Sequence, residues 1–323
     1  MTFKAIDLFC GCGGFSLGFL QAGYEIILAI DIDPVVLKTY ELNNYGIPIL
    51  NYDIRYLRAE KILEITGCTP DVIIASPPCE QFSVANRFRK KDPFMRLYDD
   101  NTGQLVLHAI RIIGDLQPKV FVMENVIQLI DGELKDALCN EFDRVGFSKI
   151  FFNVFHAEDY GTPSKRTRLF ISNAKLRLKK TNSSQNLKLS KILEDLPDPD
   201  FIQEIPNHEL TPLTTRRDKK IQQLRRGSSL VYYRSAKESM NTNWKKIQGN
   251  SICPTIIGHS RYVHPIKKRL LTVREHARLM GFPDNFVFYG GISSQYNQIG
   301  EAVPVPLSNV IANYLLEKQL QVF

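Results

Sequence analysis

With 323 residues, 44% of them apolar and 23% charged, the chain has the composition of a globular protein able to bury a sizeable core. Its six cysteines form no C-x-x-C pair and no regular framework, which argues against a disulfide scaffold and a structural zinc site, and no apolar run approaches the ~20 residues of a membrane span. The formal charge of +7 is unevenly placed: residues 175–268 carry 19 Lys and Arg against 8 Asp and Glu, or +11, and everything else carries 22 against 26, or −4. A basic block beside an acidic remainder is the pattern of a polyanion-binding module.

The N-terminus lacks the basic and long apolar regions of a signal peptide, so a cytoplasmic location is expected. From Phe3 to about Ser172, short apolar runs alternate with helical patterns, which predicts βαβ units around a mostly parallel sheet. Strands are expected over Lys4–Phe9, Glu25–Ile30, Ile47–Leu50, Asp71–Ala75, Val120–Glu124, Lys149–Phe155 and Leu169–Ser172. Helices are expected over Phe15–Ala22, Pro34–Asn43, Gln104–Leu116 and Gly132–Val145. The stretch from Phe82 to Thr102, rich in Arg, Lys and Asp, has no clear period and reads as a long functional loop. After about Ala174 the sequence turns polar, basic and Pro-containing, and a second domain is expected to begin there. Helical periodicity returns over Thr272–Met280, with Thr272 as N-cap and Glu275 completing a capping box, and over Pro306–Glu317.

Four strand ends carry candidate chemistry. Asp7-Leu-Phe-Cys-Gly-Cys-Gly-Gly-Phe15 leaves the first strand and opens the first helix, where backbone N–H groups can hold an anionic cofactor group. Asp31 ends the second strand, where a carboxylate can accept both hydroxyls of a ribose, and Asp53 follows the third, placed to meet an adenine amino group. The glycine turn has no lysine for a phosphate chain, so S-adenosylmethionine fits better than a dinucleotide. In Ser76-Pro77-Pro78-Cys79 the prolines end a strand and leave a thiol just beyond its carboxyl end, where ligands bind in open α/β sheets. Such a thiol is a candidate nucleophile that needs an acid nearby. Taken singly, Glu124 is a strand-end acid, Arg166 and Arg168 alternate as exposed strand charges do, and Asp31 and Asp53 cap the helices that follow.

Taken together and in order, these residues resemble the C5-cytosine DNA methyltransferases, from Asp7 nearly to the C-terminus. The glycine turn, Pro77-Pro78-Cys79, Glu124-Asn125-Val126, Arg166-Thr167-Arg168, the run from Arg269 to Pro283 and the run from Gly300 to Pro306 match six family motifs in the family's order. The resemblance implies an α/β fold: a doubly wound, mostly parallel sheet of the Rossmann-like methyltransferase type with a second, smaller target-recognition domain. Residues 1–174 would hold cofactor and catalysis, 175–268 the recognition domain, and 269–323 would return to the catalytic domain. The implied reaction moves a methyl group from S-adenosylmethionine to C5 of a cytosine flipped out of a specific short DNA sequence, since a duplex hides C5 and C6 in its stack. C5 is a poor nucleophile until a thiolate adds to C6. Cys79 would be that thiolate and Glu124 the acid at N3. By the same resemblance Arg168 contacts the glutamate and the cytosine O2, and Arg166 supports the site.

The cofactor residues so implied are Phe9, Gly11, Gly13, Gly14, Asp31, Ile32, Asp53, Ile54, Pro78, Leu105, Glu301 and Val303. The DNA-binding residues in the loop are Ser83, Arg87, Arg89 and Lys90, and no metal is expected. Glu80 and Ser164 stand where the family usually has Gln, Glu301 where it has Asn, and Asp31 where Glu is more frequent; none of these removes a reacting group. The expected partner is double-stranded DNA, with the protein a monomer off the membrane, either paired with a restriction endonuclease acting on the same site or solitary. One alternative is a transfer RNA methyltransferase of the same fold, whose Cys-Phe-Thr signature reads Cys253-Pro254-Thr255 here. Another is a catalytically silent DNA-binding regulator, against which intact Cys79, Glu124 and Arg168 count. A nucleoside-dependent redox enzyme is disfavoured by the Pro-Pro-Cys context and the basic second domain.

Overall fold

The computed structural model describes residues 2–181, 187–199, 205–235 and 240–320, and in it the apolar runs of the first half form one seven-stranded sheet. Its strands are β1 (Lys4–Leu8), β2 (Glu25–Asp31), β3 (Ile49–Asn51), β4 (Val72–Ala75), β5 (Val120–Asn125), β6 (Phe151–His156) and β7 (Thr167–Ser172), in the order β3-β2-β1-β4-β5-β7-β6. The pairs β1–β2, β2–β3, β1–β4 and β4–β5 are parallel, and β5–β7 is antiparallel. Every residue of β4 and β5 is buried. Parallel strands covered on both faces read as continuous apolar runs, which is why the sequence exposes them so clearly.

Helices α1 (Gly14–Gln21), α2 (Pro34–Asn43), α3 (Ala59–Thr66), α4 (Pro93–Tyr98), α5 (Leu105–Leu116) and α6 (Leu134–Arg144) connect these strands. On α5, Val106, Ala109, Ile110 and Ile113 recur at helical spacing and enter the same core as Ile73 and Phe121. The Phe142 ring of α6 stacks on Phe121 of β5 with centroids 4.8 Å apart. The expected α/β class is therefore the one observed. The long loop from Phe82 to Thr102 contains a helix that was not expected, α4, which Asp92 caps by accepting the Phe94 N–H at 2.8 Å, with Pro93 at its first position.

The second half adds α7 (Leu189–Ile192), α8 (Thr215–Gln222), a three-stranded sheet of β8 (Ser229–Arg234), β9 (Met240–Lys246) and β10 (Tyr262–Val263), then α9 (Val273–Arg278), α10 (Ile292–Glu301) and α11 (Val305–Leu315). Thr272 caps α9 in the capping box read from the sequence. By backbone contacts the chain divides into two compact units, Met1–Phe155 with Thr167–Lys179 and Ser308–Phe323, and His156–Arg166 with Lys180–Leu307. These units depart from the expected boundaries. The chain rejoins the first unit at Ser308 rather than Arg269, because the segment between them is bound within the second: Arg269 forks onto Glu275 with two 2.8 Å bonds, and Phe282, Phe286 and Phe288 cluster there. In the first unit Gly18 of α1 admits the return, since a Cβ there would lie 2.3 Å from Ser308 Oγ, which donates to the Phe15 carbonyl at 2.6 Å. No helix among the described residues is long and apolar enough to cross a membrane.

Candidate active site

The turn after β1 is shaped by its backbone: Phe9, Gly11 and Gly13 have φ of 59°, 51° and 94°. Glycine takes such left-handed values at no steric cost, whereas phenylalanine must be held there. Gly13 opens α1 and has little room for a side chain, since a Cβ would lie 3.0 Å from the Tyr40 ring. Gly14, buried, is the helix's first residue. The Gly11 N–H donates to Asp31 Oδ2 at 2.9 Å and the Asp33 N–H to Asp31 Oδ1 at 3.0 Å. Asp31 is thus oriented at the end of β2 with a lone pair left on each oxygen for a hydroxyl. Burial pushes its pKa up. Beside it Ile32 is 59% exposed, an apolar surface of a kind a base can cover.

Asp53 follows β3 and is clamped by Arg55, whose Nε lies 3.0 and 2.9 Å from its two oxygens. This hydrogen bonding holds the Asp53 carboxyl below the usual carboxylate range. Ile54 is buried, and its carbonyl accepts from Arg111 Nη2 at 3.0 Å. Leu105 opens α5, half-buried against the core. Two oriented carboxylates, an apolar cover and no cation between Phe9 and Gly14 make a set of acceptors suited to a nucleoside without a phosphate chain.

Hydrogen bonds join the carboxyl ends of neighbouring strands across this region. Ser76, just past β4, donates from its N–H to Leu8 O at 3.1 Å and from Oγ to Phe9 O at 3.0 Å. Asn125, fully buried at the end of β5, donates from Nδ2 to Pro77 O at 3.0 Å. With Gly11–Asp31, these bonds link the ends of β2, β1, β4 and β5 in their spatial order. Strand order reverses between β1 and β4, the switch point where open α/β sheets bind ligands. The loop carrying Pro78 and Cys79, both half-buried, is therefore tied down on each side. The Cys79 carbonyl accepts the N–H groups of Phe82 and Ser83 at 3.0 and 2.9 Å, closing a turn behind the thiol.

Glu124 pairs across β5 and β7 with Phe170, which puts Arg168 diagonally on the same face. Arg168 Nε lies 2.9 Å from Glu124 Oε1, a charge contact not aligned as a hydrogen bond, with both side chains about nine-tenths buried. Glu124 and Arg168 thus meet on one face of the sheet.

Arg166 is placed differently, in the second unit, because β7 begins one residue after it. Its Nη1 donates to the carbonyls of Ile256 and Gly300 at 2.8 Å each, and its Nη2 to that of Glu301 at 3.4 Å. Those contacts make it a clip for the turn at Ile256 and the end of α10. Gly300 must be glycine there, since a Cβ would lie 2.2 Å from the Ile257 carbonyl carbon. Glu301 is exposed at the end of α10 and Val303 buried beyond it, both in the second unit.

In the long loop, Arg96 is 5% exposed and donates to the carbonyls of Lys90 and Lys91 at 2.6 and 2.7 Å. Two of the expected phosphate contacts also serve this fold: Arg89 Nη1 donates to Phe82 O at 2.7 Å and Lys90 Nζ to Asp99 O at 2.6 Å. Ser83 Oγ accepts the Ala85 N–H at 3.2 Å, while Arg87 is exposed, 5.1 Å over the Phe88 ring. Asn125, Ser76 and Arg55 were missed as site residues. An amide next to Glu124 at the end of a buried strand, and an arginine two residues after Asp53, were the signals that pointed to two of them.

Asp7, inside β1, is fully buried; Ser16 Oγ donates to its Oδ2 at 2.6 Å, and the Tyr40 hydroxyl donates to Ser16 Oγ at 2.8 Å. Burial pushes this carboxyl up to about 7, from 3.8 when unfolded. The folded chain therefore keeps a proton that the unfolded chain loses, so stability is full below about pH 4 and lost as pH rises through about 7. Asp7→Asn keeps an acceptor for Ser16 without the titration. Thermal melts are expected to show wild type losing more stability than the variant between about pH 5 and about pH 8, and parallel profiles would contradict the assignment.

Comparison with known proteins adds the following. A family model described as C-5 cytosine-specific DNA methylase matches residues 3–317. A Methanocaldococcus jannaschii protein named as a type II methyltransferase, M.MJ0563P, is 44% identical over 322 residues, covering 98% of this chain and 100% of that one. The type II methyltransferase M.DdeI of Desulfomicrobium norvegicum is 31% identical, covering 95% of this chain and 87% of that one. A crystal structure named as a DNA modification methyltransferase encoded within an E. coli prophage shares the fold with a TM-score of 0.77 at 24% identity, covering 99% of this chain and 100% of that one.

Proposed function

This chain belongs to the C-5 cytosine-specific DNA methylase family and is a DNA cytosine methyltransferase, and from that premise we propose that it methylates C5 of a cytosine flipped out of a short recognised sequence, through a bond between Cys79 Sγ and cytosine C6. The observation that carries the reading is the Asn125–Pro77 hydrogen bond of 3.0 Å, which fixes the Cys79 loop to the strand end that bears Glu124.

S-adenosylmethionine, when bound, supplies an electrophilic methyl group. Asp31 would hold the ribose hydroxyls, Ile32 would cover the adenine, and Asp53, held by Arg55, would accept from the adenine amino group. Cys79 adds to C6 as a thiolate, which drives electron density toward N3. Glu124 donates a proton at N3, and Arg168 holds Glu124 in place and meets the cytosine O2. C5 then has enamine character and takes the methyl group, with S-adenosylhomocysteine as the leaving product; a solvent base removes the C5 proton, Glu124 takes back the proton from N3, and the Cys79 thiolate leaves C6 as the ring is restored. Phosphates are met by the basic segment 175–268 acting as target-recognition domain, with Arg87 and Ser83 of the long loop. The names of the type II relatives support a restriction-modification context, in which a restriction endonuclease of the same site would be the partner; the enzyme acting alone is the other arrangement.

The test is transfer of labelled methyl from S-adenosylmethionine to unmethylated genomic DNA, with transfer RNA in parallel and bisulfite sequencing of the product. Label at C5 within one recurring DNA motif is the expected result. Label on RNA alone would overturn the DNA substrate, and duplex binding without label would favour a silent regulator.

A further inference from the structure

On the ribbon of β8 and β9, the outer half of one face is exposed. We infer that this ribbon reads the DNA sequence, entering the major groove with Tyr232, Arg234, Met240 and Thr242 against base edges while a basic concavity at its root seats a backbone phosphate. The inference rests on DNA being the substrate.

The strands are antiparallel, with Tyr232 opposite Thr242 and Arg234 opposite Met240. Side chains alternate along a strand, so Leu230 and Trp244 share the face of these four. That face is divided. At the root, Leu230 and Trp244 pack on Ile221, Val263 and Leu270. Toward the tip, Tyr232 and Met240 are each 60% exposed, and Arg234 and Thr242 are exposed as well. A packed root with an exposed aromatic and a thioether farther out leaves apolar surface for a partner to bury, beside the charge of Arg234.

The chemistry of the four suits base edges. Tyrosine and threonine hydroxyls donate and accept, the thioether and the threonine methyl suit the thymine methyl, and a guanidinium can fork onto guanine O6 and N7. A two-stranded ribbon also matches the roughly 12 Å width of the major groove. Charge agrees with this occupant. A concavity of about 430 Å³ lined by Lys220, Arg225, Ser228 and Ser229 lies at the ribbon's root. Its neighbour α8 carries Arg216, Arg217, Lys219 and Lys220 among eight residues, and the Arg217 guanidinium sits 5.2 Å over the Trp244 ring.

The experiment is selection of a randomised duplex library by binding to wild type, Tyr232→Ala, Thr242→Ala and Arg225→Ala, with methylation of genomic DNA measured on the same preparations. Wild type is expected to enrich one short motif. Tyr232→Ala and Thr242→Ala should lower the ratio of cognate to non-cognate binding by about 5- to 150-fold and relax one motif position each, with non-cognate affinity unchanged. Arg225→Ala should weaken both by the same factor and reduce the salt slope by about 1. Ribbon variants that keep the wild-type ratio, or lose both affinities alike, overturn the inference. If wild type still methylates cytosine in that case, the methyltransferase reading survives; if it neither methylates DNA nor enriches a motif, both fall.

Discussion

Cys79→Ser is expected to lower methyl transfer by on the order of 10⁴-fold or more while leaving duplex affinity and melting temperature close to wild type. One atom changes. A thiol is partly ionised near neutrality and intrinsically nucleophilic, whereas a serine hydroxyl needs a base to act at all. The rest of the site stays as it was, because the turn is held by the Cys79 carbonyl, through Phe82 and Ser83. The other thiols are poorly suited to replace it: Cys10, Cys12 and Cys253 are at most 4% exposed, burial pushes the thiols of Cys10, Cys139 and Cys253 up, and Cys68 lies before β4 rather than beyond its carboxyl end. Initial rates with labelled S-adenosylmethionine, alongside the duplex dissociation constant, check the prediction. A serine enzyme within tenfold of wild type would remove the covalent step from the mechanism.

The sequence made the first unit legible for a physical reason. Strands buried on both faces, such as β4 and β5, cannot hide their apolar runs, and polar residues at their ends, where the sheet has no further use for them, stand out as chemistry. Asp31, Asp53, Cys79 and Glu124, candidates on that ground, stand at or just past the carboxyl ends of β2, β3, β4 and β5. Arg166 was not legible in this way, because alternation placed it beside Arg168 on a strand that starts one residue later, and its carbonyl partners at Ile256, Gly300 and Glu301 are 90 to 135 residues away. The point where the chain rejoins the first unit was hidden likewise, since it depends on Gly18 meeting Ser308. Helix α4 was missed although Asp92-Pro93 is an N-cap signature, since the charges around it masked its period. The polar strand β9, Met240–Lys246, has almost no apolar alternation and was not visible at all.

Glu124→Gln is expected to lower the single-turnover rate by roughly 10²- to 10⁴-fold, the span of a positioned proton donor, with a smaller effect on duplex affinity. Glutamine has the same shape and keeps an oxygen facing Arg168 at the 2.9 Å contact, but it has no proton to give at N3. Arg168→Ala is a poorer probe: it leaves a buried carboxylate without its cation, so loss of stability would accompany loss of rate. A melting temperature for Glu124→Gln close to wild type, with the rate lost, separates chemistry from scaffolding; a parallel fall in both would make Glu124 a structural acid. The double variant with Cys79→Ser gives the sharper test. If protonation at N3 and attack at C6 belong to one step, removing the acid costs nothing further once the thiolate is gone, and the double variant should be as slow as Cys79→Ser alone. Multiplied losses would instead assign Glu124 to a separate step.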